Sequence, residues 1–168
     1  MPGRMGLTTK QRKAVLRNQA SNLLWYEKIE VTAGHVASLR SYTEKILTLA
    51  INTYTDTVEE TVTTTDAKGK EVTKKVIKDG PKKLAARRKI MSLTYDIQFT
   101  KNAKESKAEF RSRVKGINHP LIEKIFNELA PKYAERKEEL KQGGGYTRRY
   151  LKGERRGDAA EVAIVELV

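Results

Sequence analysis

Apolar side chains recur at helical spacing near the start of the chain. The stripe consists of Leu16, Ala20 and Leu23, which are four and three residues apart. This spacing places side chains on one face of an α-helix, where they can be buried together. Thr8 or Thr9 precedes the stripe, and a threonine there can cap a helix by accepting a backbone N–H. The pattern therefore predicts a helix from this point to about Trp25.

Two further elements follow directly. Residues 28–32, Lys-Ile-Glu-Val-Thr, alternate between polar and apolar side chains, which is the period of a β-strand. Helical spacing then returns from about Ala33 to Asn52, with an apolar stripe of Val36, Leu39, Ile46 and Leu49. We expect this second helix to lie in the core, because a continuous apolar stripe is stable only when it is covered.

Residues 53–80 have a different character. Two runs rich in β-branched residues, 53–65 and 71–77, flank the sequence Asp-Ala-Lys-Gly-Lys at 66–70, which is a typical turn signal. The segment predicts a β-hairpin or an extended loop that ends at Gly80. An isolated two-stranded hairpin is marginally stable in water, so this one must either be mobile or lean on a neighbour.

Helical spacing resumes after Pro81. A helix is predicted from Lys82 to about Phe99, and the basic run Arg87-Arg88-Lys89 lies in its first half. Its apolar stripe is Ala86, Ile90, Leu93 and Ile97. This helix therefore combines a buried stripe with a cationic surface.

Another helix is predicted from Asn102, a candidate cap, to about Lys115. An apolar stripe of Ala103, Phe110, Val114 and Ile117 is expected to be buried. A second stripe is basic and consists of Lys104, Lys107, Arg111 and Lys115. Four like charges on one face repel one another unless a polyanion or mobile counterions neutralise them. The basic stripe is therefore either a phosphate-facing surface or a solvated row.

The last part of the chain predicts one more helix and two strands. The helix begins near Pro120, is interrupted or kinked at Pro131, and ends before the glycines at 143–145. Residues 146–150 and 161–168 read as strands joined by an arginine-rich turn. Arg148 and Arg149 must point to opposite faces of their strand. The elements together predict an α+β fold, in which a small three-stranded mixed sheet is packed by several helices in a two-layer domain.

The order of elements favours a single domain over residues 1–168. Residues 1–7 contain one proline and two glycines and are expected to form an irregular arm. The hairpin-like segment 53–80 is interpreted as an insertion in this domain. No internal repeat divides the chain.

The charge narrows the class of partner. Lys and Arg number 34 against 21 Asp and Glu, so the net charge is +13, and residues 81–117 alone contribute +8. Such an excess suits nucleic acid or an anionic membrane surface. The membrane is disfavoured because the chain has no run of about 18 apolar residues. The absence of Cys excludes disulfides, thiolate zinc sites and cysteine nucleophiles.

No set of residues in the sequence predicts catalysis. His35 and His119 are far apart and match no metal-ligand spacing. The glycines at 143–145 lack the Lys-Ser/Thr of a phosphate-binding loop and are better interpreted as a helix stop. We therefore expect that the chain is not an enzyme and that it binds no metal, no cofactor and no small-molecule substrate.

Several strings in a fixed order resemble one family. The C-terminal strings are Gly-Gly-Tyr-Thr-Arg at 144–148 and Arg-Arg-Gly-Asp at 155–158, followed by a short apolar strand. Earlier strings are Leu-Arg-Asn at 16–18, Ile-Glu-Val-Thr at 29–32, Ala-Arg-Arg at 86–88 and Leu-Ala-Pro-Lys-Tyr at 129–133. Over most of its length the chain thereby resembles the bacterial large-subunit ribosomal protein family L-seventeen (L17). Most members of that family are shorter at the 53–80 segment.

The resemblance implies a cytoplasmic protein that is a structural constituent of the bacterial large ribosomal subunit. It would bind and clamp folded large-subunit ribosomal RNA through phosphate and sugar contacts, and it would touch neighbouring large-subunit proteins. The alternative is a free nucleic-acid-binding protein or RNA chaperone. The residues predicted to face RNA are Lys10, Arg12, Lys13, Arg17, Asn18, Arg87, Arg88, Lys104, Lys107, Arg111, Lys115, Tyr146, Arg148, Arg155 and Arg156.

Overall fold

The computed structural model describes residues 6–65 and 71–168. Its helices and strands are α1 (Thr9–Tyr26), β1 (Lys28–Thr32), α2 (Ala33–Ile51), β2 (Thr57–Thr65), β3 (Glu71–Asp79), α3 (Pro81–Leu93), α4 (Lys107–Val114), α5 (Pro120–Lys124), α6 (Ala130–Leu140), β4 (Thr147–Glu154) and β5 (Glu161–Leu167). A π-helical turn, Ile125–Leu129, joins α5 to α6. These elements confirm the predicted α+β class.

Helix α1 is closed at both ends by side chains. At its start the Thr8 hydroxyl accepts the Gln11 N–H, and the Gln11 side chain accepts the Thr8 N–H in return. At its end Glu27 takes the left-handed conformation, with φ of 63°. The Lys124 ammonium donates to the Trp25 carbonyl at 2.8 Å and to the Glu27 carboxylate at 2.7 Å, and this second bond lowers the pKa of Glu27. The predicted first helix is confirmed, and a lysine from a distant segment closes its end.

The main sheet has the strand order β1–β5–β4, and both pairings are antiparallel. Ala163 of β5 lies between Val31 of β1 and Leu151 of β4. The prediction of three strands is confirmed, but the prediction of a mixed sheet is wrong. Strands β4 and β5 are joined by a short turn, which favours antiparallel pairing. The direction of β1 could not be read in advance, because nearly the whole chain separates it from β5.

Helix α2 is the central element of the helical layer. It packs on α1, α3 and α6, and on the sheet through β5. Its fully buried side chains Leu39, Ile46 and Leu47 belong to the same core cluster as Ala163 and Val165 of β5. Full burial of one such aliphatic side chain contributes about 1.5–3 kcal/mol. The two-layer packing therefore fixes the sheet against this helix.

Helix α3 ends at Leu93, so the prediction that it reaches residue 99 is wrong. Two backbone groups that the next helical turn would need are used by α1 instead. The Thr94 carbonyl accepts a hydrogen bond from Arg17, and the Tyr95 N–H donates to the Ser21 hydroxyl. The chain therefore leaves the helix and continues as an irregular segment.

Helix α4 is shorter than predicted. Ser106, rather than Asn102, caps it, in a capping box with Glu109 at 3.2 and 2.8 Å. The Asn102 N–H donates to the Glu105 carboxylate, which holds a turn before the helix. The predicted buried stripe is wrong here, since no residue of α4 is buried. Ala103 is exposed, and Phe110, Val114 and Ile117 are half-buried.

The helical run around Pro131 contains the irregularity that its sequence predicts. The Ala130 N–H donates to the Ile125 carbonyl, five residues earlier, which makes this turn wider than an α-helical one. A proline has no N–H, and in a regular helix its ring clashes with the carbonyl four residues before it. The π turn therefore lies directly before the proline that a regular helix would not accommodate.

Strands β2 and β3 form the predicted hairpin. They pair antiparallel from Thr57 opposite Asp79 to Thr65 opposite Glu71, with no register shift. Within the described chain, neither strand packs on another helix or strand beyond isolated contacts. The predicted turn at 66–70 lies outside the described residues. Residues 1–5 of the predicted arm also lie outside them, and Gly6 and Leu7 precede α1 without helical structure.

Candidate nucleic-acid interface

The basic side chains fall into two kinds. Some form ion pairs with carboxylates of the protein itself. Others are exposed and have no ion pair within residues 6–65 and 71–168. The second kind is the better candidate for a polyanion, since a paired guanidinium has already used donors that a phosphate would need. Among the basic residues predicted to face RNA, Arg87 and Arg155 belong to the first kind, most of the others belong to the second, and Arg12 and Arg17 are half-buried and belong to neither.

Helix α1 carries the first exposed group. Lys10 and Lys13 are exposed and three residues apart, which makes them neighbours on the helix surface. Arg12 is half-buried, and Asn18 is exposed and accepts a hydrogen bond from Asn22 at 2.9 Å. We call Lys10, Arg12, Lys13 and Asn18 the α1 group.

Arg17 was also predicted to face RNA, but its side chain makes contacts within the protein instead. Its Nη2 donates to the Thr94 carbonyl at 3.0 Å, and its guanidinium lies 4.4 Å from the centre of the Tyr95 ring. Its Nε is buried and has no hydrogen-bond partner among the described residues. Arg17 therefore ties α1 to the segment after α3, and these internal contacts make it a poor candidate for the predicted contact with RNA.

Arg87 and Arg88 are neighbours in the chain with different surroundings. Arg87 Nη1 donates to Glu123 at 2.5 Å, and its Nε lies 2.8 Å from Asp79 as an ion pair without hydrogen-bond alignment. The Arg87 side chain is only 20% exposed. Arg87 links the hairpin and α3 to α5, and these ion pairs make it a poor candidate for the predicted contact with RNA. Arg88 is exposed and pairs with no carboxylate of the described chain.

Two exposed lysines near Arg88 are absent from the set predicted to face RNA, although Lys89 belongs to the basic run noted in the sequence. Lys82 and Lys89 are seven residues apart, which is two helical turns, and they therefore lie on one side of α3. That spacing is visible in the sequence and could have identified them. We call Lys82, Arg88 and Lys89 the α3 face.

The basic stripe predicted around α4 is only partly helical. Lys107 and Arg111 are one turn apart on α4, whereas Lys104 lies before the helix and Lys115 is its last flanking residue. All four are exposed, and we call them the α4 group. Arg113 is not available, since it bonds both carboxylate oxygens of Glu105 at 2.9 Å and thereby lowers the pKa of Glu105.

The C-terminal hairpin presents arginines from strand β4. Arg148 lies opposite Glu166 and Arg149 lies opposite Val165, so the two arginines point to opposite faces as predicted. Both are exposed. Arg149 shares its face with the core residue Val165, so Arg148 is the one on the outer face.

Tyr146 does not belong to this surface. It is 3% exposed, and its ring lies 5.1 Å from that of Tyr133 at an angle of 57°. Burial also raises the pKa of Tyr133 to about 12. A tilted aromatic pair in the core explains the position of Tyr146, and its burial makes it a poor candidate for the predicted contact with RNA.

The turn between β4 and β5 is shaped by one of its two arginines. Arg155 donates to both carboxylate oxygens of Asp158, at 2.9 and 2.6 Å, and these bonds hold the pKa of Asp158 at about 2. The Ala159 N–H also donates to the Arg155 carbonyl at 2.9 Å. Arg156 is exposed and forms no ion pair within the described chain. We call Arg148 and Arg156 the C-terminal group.

The described residues give little support for a metal site or a membrane-spanning segment. His119 lies 3.5 Å from the Asp96 carboxylate, and His35 lies 3.1 Å from the Gln19 amide. No group of three His, Cys, Asp or Glu side chains that could hold a metal occurs in the part of the chain that the structure describes. None of the helices there has the length and apolar character needed to cross a membrane.

Comparison with known proteins gives consistent matches. The sequence model of the family described as Ribosomal protein L17 matches residues 15–168. A protein of Lachnospira eligens named Large ribosomal subunit protein bL17 is 34% identical over 184 residues, which covers 98% of this chain and 97% of the relative. Proteins of the same name from Acetivibrio thermocellus and Clostridium botulinum (strain Hall) are 32% and 33% identical, with 98% of this chain and 97% and 96% of the relatives covered.

Proposed function

The chain belongs to the ribosomal protein L17 family, and we propose that its α1 group, α3 face, α4 group and C-terminal group hold folded large-subunit ribosomal RNA. As a member of this family it is a structural constituent of the large ribosomal subunit rather than an enzyme, and it assembles with ribosomal RNA and ribosomal proteins in the cytoplasm.

One pattern carries the assignment of residues. In two adjacent arginine pairs the first arginine is bonded within the protein and the second is exposed. Arg87 forms ion pairs with Asp79 and Glu123 while Arg88 is exposed, and Arg155 forms an ion pair with Asp158 while Arg156 is exposed. The paired arginine holds the backbone beside the exposed one. An exposed guanidinium on such a backbone loses less entropy when it binds phosphate.

The proposed mode of recognition is mainly electrostatic. The four groups lie on different elements, and a planar guanidinium matches the oxygens of a phosphate. Folded RNA is read largely through its phosphates, sugars and shape. Burial of Tyr146 removes one of the aromatic side chains that could have stacked on a base. The protein would therefore neutralise and clamp RNA segments that otherwise repel one another.

Sedimentation of large subunits in sucrose gradients tests this proposal. The protein is expected to stay with the large subunit through washing at high salt. Replacing the α3 face, Lys82→Gln, Arg88→Gln and Lys89→Gln, should lower the salt concentration at which the protein dissociates. The matched control removes the same charge from the β2–β3 hairpin, through Lys74→Gln, Lys75→Gln and Lys78→Gln, and should dissociate like the natural protein.

The ribosomal proposal and the alternative of a free nucleic-acid-binding protein or RNA chaperone predict different positions of the protein in the gradient. A free nucleic-acid-binding protein or RNA chaperone would wash off at moderate salt and appear in the soluble fractions. Such a protein holds RNA by phosphate contacts alone, which weaken steeply with salt, whereas a constituent of the subunit also contacts ribosomal proteins. Equal dissociation of the α3-face variant and its hairpin control would contradict the assignment of the α3 face.

A further inference from the structure

The β2–β3 hairpin carries none of the protein's net charge. Residues 57–79 contain five acidic and five basic side chains, although the whole chain has a net charge of +13. A segment that contacts phosphates would be expected to be cationic, since neutralisation of phosphates supplies most of the affinity. The hairpin therefore differs in charge from the four groups assigned to RNA.

The base of the hairpin is fixed to helix α3. The Asp56 carboxylate accepts the backbone N–H groups of Lys82 and Lys83 at 2.8 and 3.1 Å. The Gly80 N–H donates to the Asp56 carbonyl at 2.9 Å, which closes the hairpin. On the other strand, Asp79 pairs with Lys83 at 3.0 Å. The hairpin thus leaves the body of the protein from a defined base, and a pre-positioned arm pays a smaller entropy cost on binding.

The two outer edges of the hairpin are not equivalent. Strand β3 carries Lys74, Lys75 and Lys78, and lysines on an edge strand discourage pairing with another strand. Strand β2 has nine residues without a Lys, an Arg or a Pro, and its pairing with β3 has no bulge. A regular edge of that length, about 30 Å at ~3.3 Å per residue, has no lysine, proline or bulge to protect it, and Glu59 and Glu60 are its only charged side chains.

The strand without lysines is also the acidic one. Glu59 and Glu60 of β2 are exposed, and only Glu60 has an ion pair in the described chain, with Lys78 at 2.5 Å. Exposed apolar side chains lie beside these carboxylates: Val58 is 45% exposed and Val76, opposite Glu60, is 40% exposed. This edge offers backbone groups, negative charge and some apolar surface, a combination that repels phosphates and suits a cationic polypeptide.

We propose that the free edge of β2 pairs with an extended, Lys/Arg-bearing segment of a neighbouring protein in the large subunit. Main-chain hydrogen bonds would add that segment to the hairpin as a third strand, and Glu59 would face its cations. The hairpin is then a protein-binding arm, while the α3 face at its base binds RNA. This inference rests on the proposed function, because it places the partner in the same particle.

Site-specific photo-cross-linking in assembled subunits tests the proposal. The photoreactive amino acid p-benzoylphenylalanine is placed at Thr61 of β2 or, as a matched control, at Lys75, which lies opposite Thr61 on β3. Both positions are exposed. The expected result is one cross-linked protein from position 61 that survives ribonuclease, joined through a lysine- or arginine-bearing peptide, and little product from position 75. An RNA product from position 61, equal protein products from both positions, or no product from position 61 would overturn the proposal.

A charge reversal separates this inference from the proposed function. Glu59→Lys with Glu60→Lys should lower the yield of the protein cross-link from position 61 several-fold, while the protein still sediments with the large subunit at high salt. An unchanged cross-link would contradict the role of the carboxylates. Failure of the unaltered protein to sediment with the large subunit would instead contradict the proposed function itself.

Discussion

The Arg40 guanidinium holds the first residue of strand β4, Thr147. Its Nε donates to the Thr147 hydroxyl at 2.9 Å, and its Nη2 donates to the Thr147 carbonyl at 3.1 Å. The Thr147 hydroxyl in turn donates to Glu44 at 2.6 Å. The strand that carries Arg148 is therefore bonded to the core helix α2.

Replacing Arg40 tests this link. Arg40→Ala should lower the free energy of unfolding by about 1.5–3 kcal/mol, because it removes hydrogen bonds from a charged group and leaves the Thr147 carbonyl unpaired. Arg40→Lys should recover only part of the loss, since an ammonium lacks the planar fork. Urea denaturation measures the free energy of unfolding of both variants. The exposed Arg88→Ala control should stay within about 0.5 kcal/mol of the natural protein; an equal loss in Arg40→Ala and this control would contradict the link.

The Arg155–Asp158 pair predicts a titration at low pH. The pKa of Asp158 is depressed from 3.8 to about 2 in the folded protein. The turn structure that depends on the ionised Asp158 carboxylate should therefore be fully formed above about pH 4 and lost as the pH falls through 2. The carboxyl resonance of Asp158 followed by NMR measures this directly. In Arg155→Ala the midpoint should rise towards the ordinary Asp value, and an unchanged midpoint would show that Arg155 is not the cause.

Gly80 and Asp56 form a second testable pair at the base of the hairpin. A Cβ on Gly80 would lie 2.5 Å from the Asp56 carboxylate, which is held by two backbone N–H groups of α3. Gly80→Ala should therefore displace this carboxylate and destabilise the protein by about 0.5–2 kcal/mol, the range of a lost helix cap.

The double-mutant cycle is the decisive version of that experiment. In an Asp56→Ala background the carboxylate is already gone, so Gly80→Ala should cost clearly less than it does alone. Chemical denaturation of the natural protein, the two single variants and the double variant gives the coupling free energy between the two substitutions. Equal costs in both backgrounds would mean that the close approach to Asp56 does not explain this glycine.

The buried tyrosine pair predicts opposite outcomes for two substitutions. The Tyr133 hydroxyl is buried without a hydrogen-bond partner among the described residues, so Tyr133→Phe removes a desolvated polar group and should be neutral or stabilising. Tyr146→Ala removes a core ring and should cost about 3–5 kcal/mol. Thermal and urea unfolding compare them. A large loss in Tyr133→Phe would reveal an essential bond to the hydroxyl.

Local patterns in the sequence predicted local structure well. The cap at Thr8, the strand Lys28–Thr32 and the hairpin strands depend on residues close together in the chain, and all three are present. The three strands and the helical layer follow from those local patterns. The predicted end of α3 was wrong because Arg17 and Ser21, more than 70 residues away, bond the backbone groups that the next helical turn would need.

The roles of the cations were harder to predict for the same reason. Arg87 and Arg88 look alike in the sequence, and only the fold brings Asp79 and Glu123 to Arg87. Tyr146 lies within a basic motif, yet its ring is buried against Tyr133. Charge density therefore predicted the kind of partner, whereas the assignment of individual side chains required the contacts between distant segments.

A structure of the large subunit that resolves side chains of this protein tests the central claim most directly. The claim predicts that the guanidinium groups of Arg88, Arg148 and Arg156 lie about 2.7–2.9 Å from phosphate oxygens of ribosomal RNA. Arg17, Arg87 and Arg155 should keep their bonds within the protein. Exposed arginines that face solvent in the assembled particle, with phosphates bound by the internally paired ones instead, would contradict it.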